Sequence, residues 1–103
     1  MDIPLELPKK QIIAFCKKWN ITELALFGSI LRGDFKPESD IDFLVTFTPE
    51  ADWSLLDHIK MEMELEKILG RKVDIVTKRS IEYSQNPIRK KAILESAKVF
   101  YAA

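Results

Sequence analysis

Asp40 and Asp42 stand two residues apart at the head of an apolar run, "DIDFLVTF". The side-chain period of a β-strand is two, so both carboxylates project from one face with their Cα atoms about 6.5–7 Å apart. Two carboxylates held that way repel each other unless a cation lies between them. Hard divalent cations such as Mg²⁺ take carboxylate oxygens together with substrate phosphates. A third acid, Asp74, sits inside the otherwise apolar "KVDIVT" and can join the pair if its strand lies beside the first. Upstream, Gly28-Ser29 closes another apolar stretch. Glycine lets backbone N–H groups approach an anion closely, and the serine hydroxyl adds a donor. Arg32, one helical turn on, can add a charge-assisted contact to the same phosphates. Taken singly, each feature has an ordinary explanation: a solvent-facing strand start, or a capped turn. Together they supply a phosphate cradle and a carboxylate set, the two halves of a nucleotide–metal site.

The elements that must position these residues can be read from periodicity. "KKQIIAFCKKWN" places Ile12, Ile13, Cys16 and Trp19 at helical spacing. "ITELALF" has strand length and ends at Gly28; "SILRGD" predicts a short helical turn from Ser29 to Gly33, followed by a loop over "FKPES". In "DIDFLVTF", Ile41, Phe43, Val45 and Phe47 face one way and Asp40, Asp42, Leu44 and Thr46 the other. Thr48 and Pro49 read as a helix start, with the helix itself running roughly from Trp53 to Leu69 and Gly70 as its C-cap. Its apolar arc is Leu55, Leu56, Ile59, Met63 and Leu69, interrupted by Glu62 and Glu66. "KVDIVT" predicts a third strand, "SIEYSQ" is ambiguous, and Asn86-Pro87 opens a last helix carrying Ile93, Ala97 and Phe100. The order α-β-turn-β-α-β-α describes an α/β domain with a small sheet.

The 103 residues fit one domain, 1–103, large enough to bury a core without staples. Sixteen basic residues balance sixteen acidic ones, so the field expected of a long nucleic-acid binder is absent. The single Cys16 excludes an internal disulfide and suits a reducing compartment; its helical position reads as core filling. His58, the one histidine, reads as a partly exposed helix residue. The opening "MDIPLELPKK" lacks a secretory pattern and no run approaches the ~18 apolar residues of a membrane span. A cytoplasmic protein without membrane contact is expected.

The stretch "GSILRGDFKPESDID", with the later "KVDIVT", resembles the minimal nucleotidyltransferase branch of the DNA polymerase β-like nucleotidyltransferase superfamily. The shared pattern is Gly-Ser, then Arg-Gly-Asp, then Ser-Asp-Ile-Asp before an apolar strand, with a third Asp in a later strand. The similarity runs over nearly the whole chain, including the closing "NPIRKKAILESAKVFYAA". It implies the polymerase β-like palm fold, α/β (α+β), in which a small mixed β-sheet is flanked by helices. It also implies transfer of a nucleoside monophosphate from an NTP, usually ATP, to a hydroxyl acceptor with release of pyrophosphate. On that resemblance Gly28 and Ser29 hold the triphosphate, and Arg32 either contacts phosphate or packs the motif. Asp40 and Asp42 would bind Mg²⁺, and Asp74 would complete a second ion. With no room for an acceptor-binding domain, the acceptor is small or is brought by a partner. In this branch the partner is typically a HEPN-domain toxin encoded alongside. The implied function is an antitoxin that adenylylates the toxin, on a tyrosine, in a hetero-oligomer or with a homodimer. Two alternatives stay open: a non-catalytic module that neutralises its partner sterically, and a small-molecule adenylyltransferase.

Overall fold

The structure is a computed structural model that describes residues 7–32, 36 and 39–103, without side chains for Ser29 and Arg32. Residues 1–6, the turn end at Gly33, Asp34 and most of the "FKPES" loop lie outside the described residues. The elements are α1 (Lys9–Lys18), β1 (Ile21–Phe27), α2 (Ser29–Arg32), β2 (Ile41–Phe47), α3 (Leu55–Leu69), β3 (Val73–Thr77), α4 (Lys78–Glu82), α5 (Pro87–Ser96) and β4 (Lys98–Ala102). The strands form one mixed sheet in the order β3-β2-β1-β4. β1 pairs antiparallel with both β2 and β4, whereas β2 and β3 run parallel with α3 as their crossover.

Strand alternation builds two cores, one on each face. Leu24, Leu26, Ile41, Phe43, Val45, Val73 and Ile75 pack against Ile12, Phe15 and Cys16 of α1 and Met61 and Leu65 of α3. The opposite face is smaller: Ala25, Phe27 and Leu44 meet Ile81 of α4 and Ile93 of α5. The stretches 24–27 of β1 and 43–45 of β2 are therefore apolar on both faces, which explains why "ITELALF" and "DFLV" are nearly continuous hydrophobic runs. Among the described residues no helix is long and apolar enough to cross a membrane.

Three expectations about the elements change. Thr48 and Pro49 do not start a helix: they form a turn closed by Ala51 N–H donating to Thr48 C=O. α3 begins later, under a capping box in which the Ser54 side chain and Asp57 exchange hydrogen bonds. The arc read for α3 is also displaced. Met61 and Leu65 are its buried residues, and Leu55, Leu56, Ile59 and Met63 stay exposed. The polar line through Glu62 and Glu66 takes the sheet-facing position beside them, as described below. Finally, the last helix stops at Ser96, and residues 98–102 pair with β1 as a fourth strand. Ala97, already extended at ψ 137, marks the change. The ambiguous "SIEYSQ" resolves into the end of α4, whose start Thr77 caps through its hydroxyl.

Candidate functional site

The site residues gather where β1 ends and β2 and β3 begin. Register places Phe27, Asp42 and Asp74 in one lateral row across the three strands. Neighbouring strands lie about 4.8 Å apart, so Asp42 and Asp74 are side by side on one face. The next row on that face is Ala25, Leu44 and Val76, which belongs to the smaller core. The acids thus stand at the rim of a face that turns apolar one row further in. Asp42 is half-buried, while Asp40 and Asp74 are exposed. Asp40 precedes β2 on the segment leading into it, whose next backbone link is Ile41 N–H donating to Lys72 C=O at 3.0 Å.

Gly28 brings the second half of the constellation against the first. It takes φ +81°, in the left-handed region, and a Cβ placed on it would collide with the Asp42 carboxylate. The chain can leave β1 here only because that Cβ is missing. α2 follows at once: Leu31 N–H donates to Gly28 C=O at 3.0 Å, and Ile30 is buried in the larger core. The expected turn beginning at Ser29 is therefore present as backbone. What the side chains of Ser29 and Arg32 contact lies outside the described residues.

The donor set suits a divalent cation. Asp42 and Asp74 offer hard carboxylate oxygens from adjacent strands, and a cation between them would relieve their mutual repulsion. The missing Cβ of Gly28 leaves the Asp42 carboxylate the space it occupies, which the side chain of any other residue would take. Among the described residues, however, no three His, Cys, Asp or Glu side chains already converge as a cation cage. Asp40 stands two residues before Asp42, exposed, just outside β2.

Sequence reading passed over three residues of α3. His58, Glu62 and Glu66 lie at i, i+4 and i+8; the two glutamates looked like interruptions of the apolar arc and His58 like a partly exposed helix residue. Glu62 Oε2 accepts from Ile75 N–H at 2.9 Å and Glu66 Oε2 from Val73 N–H at 3.3 Å. His58 Nε2 lies 2.9 Å from Ile75 C=O, which as an acceptor requires the ring proton on that nitrogen. Polar side chains repeating at helical spacing beside an apolar strip were the available signal.

Comparison with known proteins bears on the family and the fold. The Nucleotidyltransferase domain family matches residues 9–100. A relative from Methanocaldococcus jannaschii that carries the name "Putative protein adenylyltransferase" is 45% identical over 78 residues, 76% of this chain and 75% of the relative. Among solved structures, a chain in a toxin–antitoxin crystal structure with AMP-PNP superposes with a TM-score of 0.72 at 21% identity, covering 94% of this chain and 75% of that one. A chain in the structure of an AMPylated HEPN toxin from Shewanella oneidensis in complex with an MNT antitoxin gives a TM-score of 0.63 at 18% identity, covering 92% and 70%. At those identities the two structures establish likeness of fold: a mixed sheet flanked by helices.

Proposed function

This chain belongs to the nucleotidyltransferase domain family, and on that premise we propose that it moves AMP from ATP to a hydroxyl group of a partner protein, acting as the antitoxin of a HEPN-domain toxin. The observation that carries the reading is the row holding Asp42 beside Asp74, with Gly28 closed against the Asp42 carboxylate. A protein acceptor is supported by the name of the Methanocaldococcus relative and by the AMPylated toxin of the Shewanella complex.

In this reading the backbone at Gly28 and Ser29 holds the triphosphate, and Arg32 is available to its oxygens. Asp40, Asp42 and Asp74 would hold Mg²⁺, which when bound would neutralise charge that develops on the oxygens of the reacting phosphate. The acceptor oxygen attacks the α-phosphorus, the bond to the β-phosphate breaks, pyrophosphate leaves, and the acceptor's proton is released. Chemistry of this kind depends on placement and charge more than on a nucleophile from the enzyme. The chain's own contribution is therefore rigidity: β1, β2 and β3 fix the carboxylates, and α2 fixes the phosphate end. A tyrosine of the toxin is the proposed acceptor, and the two proteins form the working complex.

The test is incubation of the purified chain with labelled ATP, Mg²⁺ and the HEPN protein encoded beside it. Label on the partner and release of pyrophosphate are expected. Asp42→Asn should reduce labelling by about 10²–10³-fold, the scale of losing one preorganised charge-stabilising group. No label and no pyrophosphate with the unaltered chain would overturn the reading. So would an Asp42→Asn chain that still neutralises the toxin.

A further inference from the structure

Asp74 lies on the sheet's edge strand, and we infer that Glu62 and Glu66, with His58, are positioning residues that hold its carboxylate in register with Asp42. β3 has β2 on one side only. Its other side presents the backbone groups of alternate residues, Val73, Ile75 and Thr77. Each of the four groups that has a contact there meets a side chain. Glu66 accepts from Val73 N–H, Glu62 accepts from Ile75 N–H, His58 donates to Ile75 C=O, and Ser80 Oγ donates to Thr77 C=O at 2.9 Å. Asp74 sits between the two amides that the glutamates hold.

The arrangement answers a mechanical problem. β3 is five residues long and is bound to the sheet by parallel pairing, the slightly weaker of the two ladders. Like charges on neighbouring Asp42 and Asp74 would work against that pairing. The α3 carboxylates restrain the strand from its far side through the peptide groups flanking Asp74. They do not reach the reactive face: Asp74 shares the face of Leu44 and Val76, whereas Val73 and Ile75 belong to the α1/α3 core. Glu62 and Glu66 therefore act through the backbone. An apolar side chain in either place would leave a strand N–H facing a helix without an acceptor.

This inference rests on the reading of Asp74 as a metal-binding residue, and its test separates the two. Mn²⁺ binding is measured on the full chain in the presence of ATP, together with hydrogen exchange of the Val73 and Ile75 amides, at a temperature where each variant is folded. Glu62→Ala should speed exchange at Ile75 and weaken Mn²⁺ binding roughly tenfold or more, the range for loss of a partner supporting a metal ligand. Glu62→Gln keeps an acceptor oxygen and should restore both. Glu66→Ala should act in the same way through Val73, and it serves if Glu62→Ala does not fold. A merely structural role would lower the melting temperature and leave Mn²⁺ affinity unchanged; that result in both alanine variants overturns the inference alone. If the unaltered chain binds no Mn²⁺ with ATP, the metal reading fails and takes the positioning role with it.

Discussion

Gly28 carries two constraints at once, a left-handed backbone and a carboxylate lying where its side chain would be. Gly70, the C-cap of α3, carries only the first: its φ is +72° and nothing lies within 4 Å of an added Cβ. Substituting each by alanine separates the two effects. Both variants should lose roughly 1–2 kcal/mol of stability, the cost of left-handed backbone for a residue with a Cβ. Only Gly28→Ala should also cut nucleotidyl transfer, by about 10²-fold, since it displaces Asp42 by a distance that positioning cannot absorb. Denaturant unfolding and transfer rates on the same two proteins check this. Cys16 gives a second residue-level expectation. Burial pushes its thiol up to about 12, so the native chain should resist thiol reagents at pH 8 and react only as fast as it opens. Rapid labelling without denaturant would mean that the α1 packing is looser than described. Residue chemistry was the most legible level of the sequence. The spacing of Asp40 and Asp42 and the lone acid in "KVDIVT" stand out because strands seldom carry acids among β-branched residues. What spacing could not supply was the register, which decides that Asp42 meets Asp74.

α3 is the element that sequence patterning read least well, for a physical reason. Its exposed residues Leu55, Leu56, Ile59 and Met63 are as apolar as its buried ones, so hydrophobicity alone does not mark the inward face. The face is set by hydrogen bonding to β3, which places His58, Glu62 and Glu66 alongside Met61 and Leu65. The helix start was misplaced because Thr48-Pro49 satisfies the local preferences of a helix cap equally well; Ser54 wins with the reciprocal Asp57 contact. Ser54→Ala should cost about 1 kcal/mol in unfolding free energy. Asp57 adds a pH dependence of known sign. The Ser54 backbone N–H, then its hydroxyl, donate to the Asp57 carboxylate at 3.0 Å and hold its pKa below the ordinary value, with Lys60 nearby adding to the effect. Its contribution is therefore present above about pH 4 and is lost as pH falls through the lowered native value. Asp57→Asn should flatten that part of the acid limb of a stability–pH curve. An unchanged acid limb would mean that the capping box does not persist in solution. The β4 strand was missed for a related reason: "LESAKVFYA" keeps helical spacing through Ala97 and Phe100, and only pairing with β1 recruits it to the sheet.

At the scale of the whole molecule, the two cores and the acid row depend on one another. The larger core fixes Ile41, Phe43, Val73 and Ile75, and strand alternation then turns Asp42 and Asp74 to the other face. The α1 side is tied in by a tryptophan pair. Trp53 Nε1 donates to Trp19 C=O at 3.0 Å, the rings meet edge to face at 5.2 Å, and Trp19 Nε1 donates to Glu64 of α3 at 3.2 Å. The mixed sheet flanked by helices was legible as a class from the alternation of elements. Its order was not, because β4 comes last in sequence yet sits beside β1. One consequence concerns how the molecule behaves among its neighbours. Sheet edges ordinarily invite foreign strands, and the parallel, β-branched "VDIVT" has the composition to do so. Val73 N–H, both backbone groups of Ile75 and Thr77 C=O already meet side chains of α3 and α4, so that edge keeps fewer groups with which to pair another chain. The helix contacts proposed to steady Asp74 thus also blunt this edge of the sheet.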